Sequence, residues 1–341
     1  MIAAKNLDWF VGLLAAESPS NAEGAALDYF ESTASIWPQS ITWQRQEVAP
    51  GCFNLLGNFD KHPRTVLCSH IDTVQPYLAP RVVDGVVWGR GSCDAKGQIF
   101  TMLLLAQRLQ QEAPELLANI GFLIVVGEEL DSGGAKAANA LVKGVKDLVV
   151  LEPTSNCLIT AAKGGLKVNV SIKGQTAHSG YPFKGVDAIQ LWAQFNQQLL
   201  ACAWDEDPLL GATTFNWGKL SSDNLDNVVP DLVTAQLNWR TTFTSAGKIR
   251  PWLETLRAKQ PWLQLSFQPE RLPFKFKTVS GFKVDTVAFG CDAPYLDQAE
   301  NALMYGPGDI QVAHSLVEHL DLSEAEAASQ DLARLIRQLI K

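Results

Sequence analysis

The stretch NIGFLIVVGEELDSGG, residues 119–134, decides the fold. An apolar run bounded by turn residues reads as a strand buried on both faces, as in a parallel sheet. The run ends in two adjacent carboxylates, Glu128 and Glu129, and then in Asp, Ser and Gly. Acidic groups at the carboxyl end of such a strand stand where open α/β sheets place their sites. In extended chain, neighbouring side chains point to opposite sides. The two glutamates are therefore expected to take different jobs, one binding a metal and the other handling protons.

Two further runs repeat the pattern. Upstream, TVLCSHIDTV (65–74) delivers His70 and Asp72 at the end of a buried strand. Alone, such a pair more often is a loop histidine beside a capping aspartate. Beside a metal, His70 would be a ligand and Asp72 would orient its ring. Downstream, DLVVLEPT (147–154) ends in Glu152 and is stopped by Pro153. Between them, GRGSCDAKGQIF (89–100) sets Asp94 just before a long apolar helix over about 96–111. Asp94 by itself reads equally well as a helix cap. The glycine spacing fits neither the Walker nor the dinucleotide pattern. Three strand ends carrying acid or imidazole on one sheet edge would repel one another unless cations sat there, which predicts a metal site. His314, in a loop after GPGD, gains its value from that company, because carboxylate metal sites also recruit imidazoles. His62 and His319 lack such a context and are assigned to the surface. Cys93 is expected to be a buried, neutral thiol.

The flanking segments fill in the architecture. Residues 6–16 and 22–36 read as helices, the second capped by Ser20 or Asn21. Strands are expected within 41–60 and a helix over 133–142. After residue 165 the texture changes. GLKVNVSIKGQTAHSG (165–180) alternates apolar and polar residues, as an antiparallel strand with one solvated face does. A helix over 186–201, strands over 212–220 and 232–242 and a helix over 247–258 complete a βαββα order. The predicted fold is α/β. A catalytic domain, residues 1–165 and 273–341, carries a mostly parallel central sheet flanked by helices. An α+β domain, residues 166–272, is inserted into it. A last amphipathic helix spans 323–340.

Composition excludes several classes. With 47% hydrophobic and 19% charged residues, the 341-residue chain is an ordinary folded protein. Its net charge of −8 offers nothing to a nucleic-acid backbone. No apolar stretch approaches the roughly 20 residues that span a bilayer, and the amino-terminal patch lacks a signal peptide's basic flank. Six scattered cysteines without a CxxC pair are expected to be reduced, which suits the cytoplasm.

The ordered motifs SHIDTV, GRGSCDAKG, GEELDSGG, LEPT, GQTAHSG and GPGDIQVAHS resemble those of the co-catalytic zinc amidohydrolases and exopeptidases. That family includes aminoacylases, acetylornithine deacetylases, succinyl-diaminopimelate desuccinylases and glutamate-releasing carboxypeptidases. The resemblance covers essentially the whole chain. SCDAKG, GCDAPYL and YGPGDIQVAH look closest to acetylornithine deacetylase. The resemblance implies two divalent metal ions, zinc or else cobalt, with Asp94 bridging them. His70 and Glu152 would complete one metal site, and Glu129 and His314 the other. Glu128 would be the general base and Asp72 the support of His70. A cis peptide is implied between Asp94 and Ala95. The inserted domain would be a lid and the interface of a homodimer. His178, in AHSG, would reach the partner's site. Asn227 in DNVVP and Arg240 in NWR would hold the substrate's carboxylate or the developing oxyanion. The implied substrate is a small N-acyl amino acid, N-acetylornithine or N-acetylcitrulline, deacylated in arginine biosynthesis. Succinyl-diaminopimelate, carrier-bound lysine or ornithine, and dipeptides are the alternatives. A non-catalytic binding protein of the same fold would have lost ligands or the base, and this chain keeps them.

Overall fold

The computed structural model describes residues 2–340 and divides the chain into two compact units. The first takes the chain through Thr160, then Phe276–Asp285, and everything from Cys291 on. The second takes Ala161–Lys275 and Thr286–Gly290.

The first unit is built on a six-stranded sheet. Its order is Trp43–Ala49, Cys52–Gly57, Ile120–Val125, Thr65–His70, Asp147–Val150 and Asn301–Met304. The last four of these run parallel, while the first two form an antiparallel hairpin on one edge. The three central strands are buried at every position, which is why they read as unbroken apolar runs rather than alternating ones. The helix Lys96–Glu112 packs on Thr65–His70 and against helices Ala4–Ala15 and Leu322–Leu339. Phe10 and Phe100 stack at 4.5 Å where two of these helices meet. Each such fully buried side chain contributes about 1.5–3 kcal/mol of transfer free energy.

Several elements depart from expectation. The second helix is short, Gly24–Ser32, with a 3-10 turn at Ala34–Ile36. Neither Ser20 nor Asn21 caps it. Glu23 precedes it without a side-chain cap, and Asn21 adopts φ 70°. The Ser20 hydroxyl is engaged elsewhere, donating to Asp72 Oδ2 at 2.7 Å. The N-cap position falls at Glu23, so Ser20 is not placed to accept from the first helix amides. The helix after GEELDSGG is Gly133–Ala138, continued by a 3-10 turn at Asn139–Val142. His319 lies in a short strand, His319–Asp321, paired with Val86–Trp88. It is half-buried, its ring 4.4 Å from that of Trp88.

The second unit is an antiparallel sheet in the order Thr214–Ser221, Leu232–Thr241, Gly164–Lys173, Leu263–Phe267. Strict alternation buries Leu166, Val168, Val170 and Ile172 from one strand and Val233, Ala235, Leu237 and Trp239 from its neighbour. Helices Ala188–Ala201 and Ile249–Lys259 pack against this sheet. The strand Leu263–Phe267 is an addition to the βαββα order read from the sequence. It is only five residues long and follows the second helix almost at once, so its period-2 signal is weak. Among the described residues, no helix is long and apolar enough to cross a membrane.

Candidate metal centre

Parallel strands share one carboxyl edge, and the sheet order places Thr65–His70 between Ile120–Val125 and Asp147–Val150. His70 closes its own strand. Glu128 and Glu129 follow the second, and Glu152 follows the third. The strand Asn301–Met304 lies beside Asp147–Val150 and leads into the loop that carries His314. Asp94 comes from the turn before the helix Lys96–Glu112. It does not cap that helix. Ala95 occupies the cap position, and the Asp94–Ala95 peptide is cis.

Glu128 and Glu129 are not on the strand, which ends at Val125. Their divergence therefore comes from a turn and not from strand alternation. Gly127 enters that turn at φ 73°, in the left-handed region that glycine occupies without strain. Gly134 closes it, and a Cβ there would lie 2.5 Å from Val126 O and from Asn54 Oδ1. The buried Asn54 ties the turn down by donating to Gly134 O and accepting from Val126 N.

These side chains gather into two clusters whose donor atoms lie within 4.8 Å of one another: His70, Asp94 and Glu152, and then Asp94, Glu129 and His314. Asp94 belongs to both. Its Oδ1 lies 3.1 Å from His70 Nε2, and its Oδ2 lies 3.4 Å from His314 Nε2. His314 Nε2 also meets Glu129 Oε1 at 2.8 Å. His70 Nδ1 lies 3.0 Å from the Asp72 carbonyl oxygen and 3.4 Å from Asp72 Oδ1. The nearer contact of His70 is the main chain of Asp72, while the carboxylate adds its charge at 3.4 Å and has further partners. It accepts from Ser20 and from the N–H groups of Glu128 and Glu129, both at 3.1 Å. One wholly buried aspartate so joins the turn of the glutamates to the strand end of His70.

The electrostatics follow from burial and crowding. Burial raises the Glu152 carboxyl well above the usual range; the His70 charge opposes this, and Asp94, Glu128 and Asp292 add to it. Burial does the same to Glu128, with His70 opposing and Asp292, Glu129 and Asp94 adding. Burial works against a charged His70, but its bonds to Asp72 and Asp94 hold the imidazole well above its ordinary value. Bonds to Asp94 and Glu129 push His314 up to about 10. Burial would raise Asp94, yet the bonds from His314 and His70 keep it below the carboxylate range. The crowding favours the protonated forms of Glu128, Glu152, His70 and His314, and divalent cations would relieve it. The donors are all nitrogen and oxygen. Cys93 is no rival, because burial pushes its thiol well up and it donates to Asp309 O. Such a set fits zinc or a similar divalent ion.

Some contributors were not singled out in the sequence. Asp292, in the GCDAP segment, is 1% exposed and acts on both Glu128 and Glu152. Lys96 is buried, donates to Leu13 O and Ala16 O at the end of the first helix, and is lowered to about 7 by burial. An acid within a quoted motif could have flagged Asp292. Nothing local flags Lys96.

The second unit holds the remaining predicted residues. His178 is exposed, and its Nδ1 accepts from Gly180 N at 3.0 Å. Asn227 is exposed too, and its carbonyl accepts from Ser179 N, so these two residues share one loop pair. Arg240 stands apart in the strand Leu232–Thr241, opposite Gly165.

Strand-end acids and imidazoles in two clusters sharing a carboxylate define a class, the two-cation hydrolases. Residues 66–338 match the model of peptidase family M20/M25/M40, and the chain belongs to that family of metallo-exopeptidases and amidohydrolases. A protein named a probable carboxypeptidase in Aspergillus clavatus is 31% identical over 338 residues, covering 88% of this chain and 81% of its own. The fold is shared with a tripeptidase of Staphylococcus aureus (TM-score 0.79, 19% identity, 98% and 97% coverage). It is shared also with a dinuclear metal-binding peptidase of Bacillus subtilis (TM-score 0.68, 16% identity, 98% and 97% coverage).

Proposed function

We propose that the chain is a metal-dependent amide hydrolase whose substrates release a free amino acid, cut from an acyl group or from the end of a peptide. The observation that carries this is the division of Asp94, one oxygen toward each donor cluster. His70, Asp94 and Glu152 would hold one divalent ion, and Asp94, Glu129 and His314 the other. When bound, such a pair polarises the scissile carbonyl and makes water nucleophilic near neutral pH. Glu128 is the general base. Its raised carboxyl suits a group that accepts a proton from water and passes it to the departing amine. Asp72 keeps Glu128 and Glu129 in register through their main-chain N–H groups. With Nδ1 accepting from an N–H, the ring proton of His178 falls on Nε2, the donor an oxyanion needs. Arg240 and Asn227 bind the substrate's carboxylate or the developing oxyanion. Burial and the neighbouring Arg271 lower the Arg240 pKa, so an anion there would be stabilising. The protein acts in the cytoplasm as a homodimer through its second unit, each His178 serving the partner subunit's site.

Within this class, SCDAKG and GCDAPYL favour N-acetylornithine or N-acetylcitrulline as substrate, in arginine biosynthesis. The carboxypeptidase name of the fungal relative favours a second substrate group, peptides with a free carboxyl terminus. Both release an amino acid whose carboxylate is free. The test is a parallel assay of the zinc- and cobalt-loaded protein. It would cover acetylornithine, acetylcitrulline, succinyl-diaminopimelate, carrier-linked lysine and a panel of dipeptides and acyl dipeptides. Turnover is expected on at least one, and amidating that substrate's carboxylate should abolish it. Full metal occupancy with no turnover on any would instead favour a binding protein.

A further inference from the structure

Glu318 is one of the buried carboxylates of the first unit that belong to neither donor cluster. It is 1% exposed and lies shortly after His314 in the chain. Its Oε1 accepts from the main-chain N–H groups of Gly91 at 2.9 Å, Cys93 at 3.2 Å and Asp94 at 3.1 Å. Its Oε2 takes the guanidinium of Arg90, itself 2% exposed. Glu318 is fixed in turn by its own backbone. Its carbonyl accepts from Gly89 N, and the residues after it pair with Val86–Trp88. Converging N–H groups of a glycine-rich turn ordinarily make a nest for an external anion. Here the anion is a side chain of the protein.

The geometry has a direct bearing on Asp94. Its main-chain N–H is held by Glu318, while its two carboxylate oxygens face His70 and His314. Shifting the 91–94 turn would move both oxygens together. The segment that supplies His314 also supplies the clamp on Asp94. We propose that Glu318 is a positioning residue for the metal centre, clamping the 91–94 turn so that one carboxylate faces both donor clusters. The proposal rests on the two-cation function above. An amide cannot replace this carboxylate. With its oxygen toward the three N–H groups, its NH2 would face Arg90, donor against donor.

The test measures zinc affinity of the metal-free protein by competition with a chromophoric chelator. It is run at a temperature where circular dichroism shows wild type and variant equally folded. Glu318→Gln is expected to bind zinc about 10–100-fold more weakly, as loss of a partner behind a ligand does. The visible bands of the cobalt-saturated variant should also shift, because the bridging carboxylate is re-aimed. A variant that only unfolds at lower temperature, with affinity and cobalt bands unchanged, overturns the proposal. If Glu318→Gln does not fold, Glu318→Asp keeps the charge but shortens its reach. It should still weaken zinc binding, and unchanged affinity there overturns the proposal equally. Wild-type protein that binds no zinc would overturn both this role and the proposed function. Normal wild-type loading with an unaffected variant overturns this role alone.

Discussion

His70 and His178 are imidazoles proposed for one reaction, and the chain holds them in opposite ways. His70 is 1% exposed, with one ring nitrogen on Asp72 and the other on Asp94. His178 is exposed, and its ring accepts a single bond from the N–H of Gly180. The same contrast separates the two units. Around the metal centre, Asp72, Asn54 and Glu318 each tie a ligand-bearing turn to a distant segment. In the second unit, the loops of His178 and Asn227 are held by main-chain bonds and by short-range side-chain bonds, such as Gly180 N to His178 and Asn224 to Asp231. A substitution in the first set should spread to metal binding. One in the second should stay local and touch turnover only.

Glu128→Gln tests the boundary of that contrast from inside the centre and should have the largest effect. Glu128 is in neither donor cluster, so metal content should stay at the wild-type level. Turnover should fall by about 10²–10⁴ or more, since one group serves two proton transfers. Metal analysis beside steady-state kinetics reads both. Metal loss would mean that Glu128 and Glu129 have exchanged roles.

His178→Ala comes next, with an expected loss of about 10²–10³ in kcat and no change in metal content or unfolding temperature. Mixing it with Glu128→Gln and exchanging subunits sharpens the point. A mixed dimer has one site with both groups intact, so about half the wild-type activity per heterodimer should return. Confirmed exchange with no recovery would assign His178 to its own subunit or to a merely structural role.

Asp72→Asn should behave as the reverse of His178→Ala. The amide keeps the shape but can no longer accept from Ser20 and two main-chain N–H groups at once. Zinc should bind about 10–100-fold more weakly, read by chelator competition. Unchanged affinity would show that the centre is less cross-linked than its hydrogen bonds indicate.

The last test concerns pH. Without metal, His314 titrates at about 10, above the usual imidazole value. A raised histidine contributes stability that is fully present below its unfolded pKa, near 6.5, and is lost as pH rises through about 10. Metal binding must displace that proton, so at neutral pH it should release about one proton from each ligating imidazole. Zinc affinity should then rise about tenfold per pH unit for each proton released. Calorimetry in buffers of different ionisation enthalpy counts the protons. The exposed His178 should contribute none, and a His178→Ala protein should release the same number.

How much of this was legible in the sequence follows from where the signals lie. The parallel core is plain because Thr65–His70, Ile120–Val125 and Asp147–Val150 are buried on both faces, and such strands must be apolar throughout. Strand-end acids stand out against such runs. The turn that really separates Glu128 from Glu129 was hidden, since adjacency says nothing of φ at Gly127. Ser20 reads as a cap because cap preference is local, whereas its partner Asp72 is reached only through the tertiary fold. Glu318, Lys96 and Asn54 have no local signature, because each works across a long sequence gap on main-chain groups.

The donors of the centre run from His70 to His314, and the strand that leads to the last of them, Asn301–Met304, joins the sheet edge beside Asp147–Val150. If the centre binds metal as proposed, metal uptake during synthesis would report the arrival of this segment. A nascent chain ending before residue 301 can carry His70, Asp94 and Glu152, yet it lacks His314, and it lacks Glu318 as well. Non-local contacts of this kind form late, after long loops have closed. On the proposed assignment, tight loading of the second cation would mark the docking of the segment that carries His314, and ribosome-bound chains of graded length would show it as a step in zinc retention.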